Sequence, residues 1–220
     1  MKRFLTLSII GSMFLGAGSA FAEDAAFSQS PFTDVPASST YFEGIEYLRT
    51  HNVLKGYIDG TFKADTRINR AEFVMFVVNP LILDTNDMSS CLNESLLPAA
   101  QTVFFPDVAR DSWYATQVCF AKTKHLIDGY PDGTYRPADS INFVEAAKII
   151  ANVFALDVQN QATGEFWYRP YVQRLSDLHA IPTSIKRFDQ TITRGEMAEI
   201  TYRLKADRED KASTSIGDIQ

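Results

Sequence analysis

Only two cysteines and three histidines occur among the 220 residues. That scarcity excludes a disulfide-framework mini-protein and a multi-cysteine zinc module, and it leaves too few imidazoles for a His-rich metal site. Basic residues are in deficit, with 21 Lys and Arg against 27 Asp and Glu and a formal net charge of −6. A nonspecific nucleic-acid binder needs the opposite balance to neutralise phosphates, so nucleic acid is not an expected partner. No stretch alternates apolar and polar residues as a half-buried strand does. What remains is ordinary for a globular chain: 45% hydrophobic and 22% charged residues, enough for a sizeable core in one or two domains.

The beginning of the chain reads as an export signal. Lys2 and Arg3 form a short positive segment, Phe4 to Leu15 is mostly apolar, and Ala20-Phe21-Ala22 is a small-x-small cleavage site. A membrane-anchored helix is the alternative, but the apolar stretch is short for a bilayer core and no stop-transfer charges follow it. No Cys sits at the cleavage point, so a lipoprotein signal is not indicated. The reading is a secretion signal over residues 1–22, a linker over 23–30, and no transmembrane span after cleavage. Export would bring Cys91 and Cys119 into an oxidising compartment, where an even count favours one bridge, worth roughly 3 kcal/mol for a loop of this size. Two free thiols are the alternative.

An internal repeat organises the rest. Phe32-Thr33-Asp34-Val35 superposes on Phe105-Pro106-Asp107-Val108, and the same offset carries Gly56-Tyr57 onto Gly129-Tyr130 without a gap. It continues through Asp59-Gly60-Thr61-Phe62 onto Asp132-Gly133-Thr134-Tyr135 and Ile68-Asn69 onto Ile141-Asn142. A third, shorter copy places Tyr168 on Tyr114 and Ile192-Thr193 on Ile141-Asn142, without the Asp-Gly turn or the Phe-x-Asp-Val opening. The resulting division is unit one over 31–83, a polar connector over 84–102, unit two over 103–156, a connector over 157–164, unit three over 165–205 and a loose tail over 206–220. Each unit reads as helix–loop–helix, so the expected class is all-α. Gly56 is placed to end the first helix. Asn69 with Glu72, Asn142 with Glu145, and Thr193 with Glu196 form capping boxes at the start of each second helix. Units this small should pack on one another.

The informative residues are Arg70 and Arg194, at the first helical position. A cation there opposes the helix dipole at a cost of about 0.3–1 kcal/mol. Together with unpaired backbone N–H groups it would make a receptor for a carboxylate or phosphate. The bland alternative is a tolerated surface arginine. Glu72, Glu145 and Glu196 could pass for catalytic acids, but capping already explains them, so no catalytic residue is assigned. His51, His125 and His179 lie near helix ends, where a His interacts with the negative end of the dipole, and no metal or cofactor is expected. The Asp-Gly turns lack the alternating ligands of a calcium loop.

Taken together, Phe-x-Asp-Val, Gly-Tyr-x-Asp-Gly-Thr-Phe/Tyr and Asn69-Arg70-Ala71-Glu72 resemble the S-layer homology (SLH) domain in three tandem copies. The resemblance implies a pseudo-threefold spindle around a central helical bundle. Its grooves would bind an anionic cell-wall polysaccharide, pyruvylated or peptidoglycan-linked, and place the protein in the cell wall, at the cell surface or in the periplasm. It makes Arg70 and Arg194 the partners of a ligand carboxylate, with Arg70 the stronger candidate. The loops holding Gly56, Tyr57, Asp59, Gly60, Gly129, Tyr130, Asp132 and Gly133 would line the grooves, with Asp107 alongside and Trp113 offering a face to a sugar ring. Phe143 replaces the motif Arg in unit two, which weakens or alters that site. Two competing readings are a structural S-layer or envelope-bridging protein that associates with itself or other envelope proteins, and an envelope glycan hydrolase. The repeats leave no room for a catalytic domain, so the protein is read as a non-enzyme.

Overall fold

The computed structural model describes residues 31–85, 102–159 and 163–220. Within them the helices are α1 (Phe42–Thr50), α2 (Arg70–Thr85), α3 (Ala115–Thr123), α4 (Phe143–Val153), α5 (Arg169–Asp177) and α6 (Arg194–Lys205). The chain is helix-rich, with one departure from the all-α expectation. Strands β1 (Thr102–Val103) and β2 (Phe105–Ala109) form a short antiparallel ribbon before α3. Val103, Phe105 and Val108 are buried while Phe104, at a φ of 58°, turns outward between the strands. The signal segment and Cys91 lie outside the described residues; Cys119 is fully buried on α3. Among the described residues no helix is long and apolar enough to cross a membrane.

The second helices of units two and three begin with the full expected capping box. That of unit one has one of its two bonds, its Glu72 carboxylate accepting instead from the Tyr57 hydroxyl at 3.1 Å. In α4 the Glu145 N–H donates to Asn142 Oδ1 at 2.9 Å and the Asn142 N–H donates back to Glu145 Oε2 at 3.2 Å. In α6 Glu196 and Thr193 repeat the exchange at 3.1 and 2.8 Å. In α2 the Glu72 N–H donates to Asn69 Oδ1 at 2.8 Å. The helix ends differ from expectation. Helix α1 ends before Gly56, at Asn52 with φ 57°, and the equivalent residues after α3 and α5 are His125 and His179, with φ 58° and 51°. Each left-handed residue is followed by an N–H that reaches back into the last turn: Val53 to Leu48 O at 2.8 Å, Leu126 to Ala121 O at 2.8 Å, Ala180 to Leu175 O at 2.9 Å. Gly56 has another reason to be glycine. A Cβ there would sit 2.3 Å from the Phe32 ring and 2.6 Å from Thr61 O.

The units interlock in rotation. Helix α3 of unit two packs on α2 of unit one, α5 of unit three packs on α4 of unit two, and α1 of unit one packs on α6 of unit three. Where the three second helices begin, the backbone closes a ring: Ile68 N–H donates to Ile192 O, Ile192 N–H to Ile141 O, and Ile141 N–H to Ile68 O, at 3.1–3.2 Å. All three isoleucines are fully buried. No unit contains this ring by itself, so closing it requires all three copies.

The opening motif is a clamp within each of the first two units. Asp34 accepts the N–H groups of Phe62 and Lys63 at 2.8 and 2.7 Å, and Asp107 accepts those of Tyr135 and Arg136 at 2.9 and 2.7 Å. Both Asp107 carboxylate oxygens are thus engaged by the loop that they hold. Unit three lacks this motif, and the tail supplies a substitute. Thr214 N–H donates to Ile181 O, Gln220 N–H to Lys186 O and Phe188 N–H to Gln220 O, each at 3.0 Å, while Ile219 is buried. The tail expected to be loose is a strap on unit three.

Candidate functional site in the grooves between units

Arg70 and Arg194 reach from their own unit into the next. Arg70 Nε donates to Tyr135 O at 2.8 Å, its guanidinium carbon lies 4.7 and 4.8 Å from the Tyr130 and Tyr135 rings, and Nη1 is 3.7 Å from Glu145 Oε2. Tyr135 returns a hydrogen bond from its hydroxyl to Arg70 O at 2.9 Å. Arg194 repeats the set, with Nε on Phe62 O at 2.8 Å, the Tyr57, Phe62 and Phe76 rings at 4.5–4.8 Å, and Glu72 Oε2 at 3.9 Å from Nη1.

This geometry corrects the picture of an open, cationic helix mouth. Arg70 is 5% exposed and Arg194 2%. The N–H groups expected to await an anion are already occupied by loop carbonyls of the neighbouring unit: Arg70 N–H by Asp139 O, Ala71 N–H by Pro137 O, Arg194 N–H by Thr66 O and Gly195 N–H by Ala64 O. The arginines tolerate the positive end of the dipole because a carbonyl, an aromatic sandwich and a carboxylate of the next unit receive them. In the third copy of the contact Phe143 is fully buried in place of arginine, and Glu196 is satisfied by Ser184 Oγ at 2.8 Å and Gln190 Nε2 at 3.1 Å.

Outside the Arg70 contact lies a groove of about 360 Å³ lined by Arg70, Asp128, Tyr130, Glu145, Lys148 and Trp167, with Leu126, Ile127, Gly129, Pro131 and Ile149 as its apolar floor and rim. Three units contribute: Arg70 from the first, the loop and α4 from the second, and Trp167 from the start of the third. Tyr130 donates to Glu145 Oε1 at 2.6 Å and carries Arg136 on its ring at 4.1 Å. Lys148 Nζ pairs with Asp128 at 2.7 Å and lies 5.6 Å from the Trp167 ring. The arrangement offers an aromatic face, a lysine and hydrogen-bonding groups to a ring-shaped polar ligand.

Of the residues expected at a ligand, Tyr130, Gly129 and Arg70 line this groove, and Tyr57 and Arg194 form the equivalent contact between units three and one. Asp59 and Asp132 have a turn-holding role. Each accepts the N–H and hydroxyl of the threonine two residues on, and Asp132 also pairs with Arg136 at 2.7 Å. Those hydrogen bonds, Thr134 first for Asp132, hold both carboxyls below the usual range. Gly60 and Gly133 sit at φ 79° and 83° at the open turn tips. Trp113 is 59% exposed and meets Tyr114 edge-on at 5.2 Å, as Trp167 meets Tyr168 at 5.9 Å. Sequence reasoning missed Trp167 and Lys148. The repeat held the signal, because Trp167-Tyr168 superposes on Trp113-Tyr114. Among the described residues no group of three His, Cys, Asp or Glu could hold a metal. His51 Nδ1 lies 2.7 Å from Tyr47 O and His179 Nδ1 2.7 Å from Glu209 O.

Burial, then donation to Glu145, pushes the Tyr130 phenol up to about 12 from an ordinary value of 10.0. Tyr57, Tyr135 and Tyr202 move in the same direction, each chiefly through burial. A raised folded-state value means that this contribution to stability is complete below pH 10 and is lost as pH rises toward 12. Denaturant melts taken at intervals from pH 8 to 12 should therefore show stability falling only above pH 10. In Tyr130→Phe that fall should be shallower.

Comparison with known proteins places these observations. Residues 31–74 and 104–147 match the S-layer homology domain. The "Middle cell wall protein" of Brevibacillus brevis is 26% identical over 176 residues, covering 80% of this chain and 15% of that protein. The "Surface layer protein" of Brevibacillus choshinensis is 24% identical over 172 residues, 78% of this chain and 14% of the relative. The "Cellulosome-anchoring protein" of Acetivibrio thermocellus is 31% identical over 121 residues, 55% of this chain and 24% of that protein. The matched part of each relative is thus a small fraction of its length. Units one and two each match the S-layer homology domain, and unit three lies outside the matched residues.

Proposed function

We propose that the protein attaches non-covalently to the bacterial cell envelope by holding an anionic cell-wall polysaccharide, pyruvylated or peptidoglycan-linked, in the grooves between its units. In this reading the three units form a pseudo-threefold spindle with α2, α4 and α6 at its centre, and the site of action is the cell surface. The observation that carries it is the groove of about 360 Å³ to which three units contribute, where Trp167, Tyr130 and Lys148 are among the lining residues. The matches to surface-layer, cell-wall and anchoring proteins point to the same location. The acids that a hydrolase would need are engaged in caps and ion pairs, which favours binding over turnover.

The chain has two tryptophans, so intrinsic fluorescence reports on both aromatic rims. Titration with solubilised wall polysaccharide should change the emission. Trp167→Ala should weaken the fitted affinity by about tenfold, the worth of one aromatic contact. Wild-type affinity in Trp167→Ala would remove this groove from the reading.

A further inference from the structure

The opening motif that unit three lacks at its start has a counterpart beyond its second helix. Ile216-Gly217-Asp218-Ile219 has the apolar-x-Asp-apolar pattern of Phe32-Thr33-Asp34-Val35 and Phe105-Pro106-Asp107-Val108. Its backbone turns as that of unit one does. The fourth N–H donates to the first carbonyl, Val35 to Phe32 O at 3.2 Å and Ile219 to Ile216 O at 3.4 Å. The last apolar residue is buried in all three segments. The course is shared as well, for the repeat places Ile181 on Leu54 and Lys186 on Phe62. In unit one the segment runs from Phe32, against Gly56, to Asp34, which holds the N–H groups of Phe62 and Lys63. In unit three Thr214 N–H donates to Ile181 O, Ile216 N–H donates to Ser176 Oγ on α5 at 3.1 Å, and Gln220 bonds both Lys186 and Phe188. The carboxylate is used differently. Asp218 accepts from Ser215 Oγ within the tail at 2.7 Å, and the Lys186 N–H goes to Gln190 Oε1 at 3.0 Å.

We propose that unit three holds a peptide-binding cradle between α5 and the loop over 181–188, that it takes segments of the apolar-x-Asp-apolar class, and that residues 213–220 are its ligand, docked in cis as the opening segment of a permuted unit. The root of the tail is pinned beside the cradle. Arg208 and Lys211 both pair with Glu43 of unit one, and Arg203 Nη1 donates to Ala212 O at 3.0 Å. A ligand tethered so closely meets its site at an effective concentration of about millimolar, so its individually weak contacts suffice. Unit three then extends over 165–220, and the same tail joins it to unit one. The assignment stands on the repeat and the backbone bonds, and it does not depend on what the grooves between units hold.

The test adds a fluorescein-labelled peptide of residues 213–220 to the full chain and follows its anisotropy, with hydrogen exchange at Thr214 and Phe188 reporting whether the tail is seated. The unmodified chain should show both amides protected and should not bind the peptide at tens of micromolar, because its own tail outcompetes it. In the Ile219→Asp chain both amides should lose protection, and the labelled peptide should now bind. A peptide that itself carries Ile219→Asp should bind that chain about tenfold more weakly, the worth of one buried isoleucine. If emptying the cradle unfolds unit three, the unlabelled peptide should restore its helical circular dichroism. Three results overturn the proposal: a tail whose amides exchange freely in the unmodified chain, a tail that stays protected in Ile219→Asp, or an emptied cradle that neither binds the peptide nor refolds with it.

Discussion

Replacing Arg70 with alanine is expected to lower the free energy of unfolding by about 3–5 kcal/mol, the range for removing one partner of a buried charge pair. The side chain is 5% exposed and serves two units at once. Its loss leaves Tyr135 O without the Nε donor, opens a gap between the Tyr130 and Tyr135 rings, and strips Glu145 of its nearest cation. Arg70→Lys should recover only part of the loss. An ammonium restores the charge but cannot hold the carbonyl while lying flat between two rings. Urea titration with an unchanged slope would report the effect as stability. A cost under about 1 kcal/mol would mean that the guanidinium is held loosely and would revive the picture of an arginine turned toward an external anion. For the same reason Arg70→Ala is a poor test of binding, since any lost wall attachment follows from unfolding.

Ile141→Ala is the second large effect, expected at about 3 kcal/mol within the range for truncating a fully buried isoleucine. Ile141 joins the ring through its own N–H to Ile68 O and its carbonyl to the Ile192 N–H. The three isoleucines meet where three helices start, so the cavity cannot be closed by moving one helix without opening the other contacts. Units one and three should therefore lose protection along with unit two. Hydrogen exchange would show this as a common rise in exchange at Ile68, Ile141 and Ile192. A rise confined to unit two would contradict the interlocked arrangement.

The local pattern of the fold was legible because it is carried by short-range chemistry. The capping pairs Asn142–Glu145 and Thr193–Glu196 lie within one helical turn, and the structure shows both reciprocal bonds. The helix ends were less legible. Asn52, His125 and His179 adopt a left-handed backbone that glycine usually takes, so Gly56 drew the assignment to itself. The site misled for a different reason. A charged residue at a helix start signals either an open receptor or a buried contact, and the deciding partners, Tyr135 O and Phe62 O, belong to other units. Periodicity within one unit carries no record of them. The tail strap was hidden in the same way, since its bonds reach Ile181 and Lys186 from residues that are merely small or polar in sequence. Trp167 could have been found by carrying the Trp-Tyr pair from unit two onto unit three, a comparison of copies rather than of residue types.

The most direct test of the account is co-sedimentation of the double variant Trp113→Ala, Trp167→Ala with purified wall sacculi, alongside its thermal melt. Trp113 is largely exposed and Trp167 lines the groove wall, so their removal should leave the melting temperature within a few degrees of the unmodified chain. The account predicts that this folded variant stays in the supernatant. A variant with an unchanged melt that pellets with the sacculi as fully as the unmodified chain would contradict it.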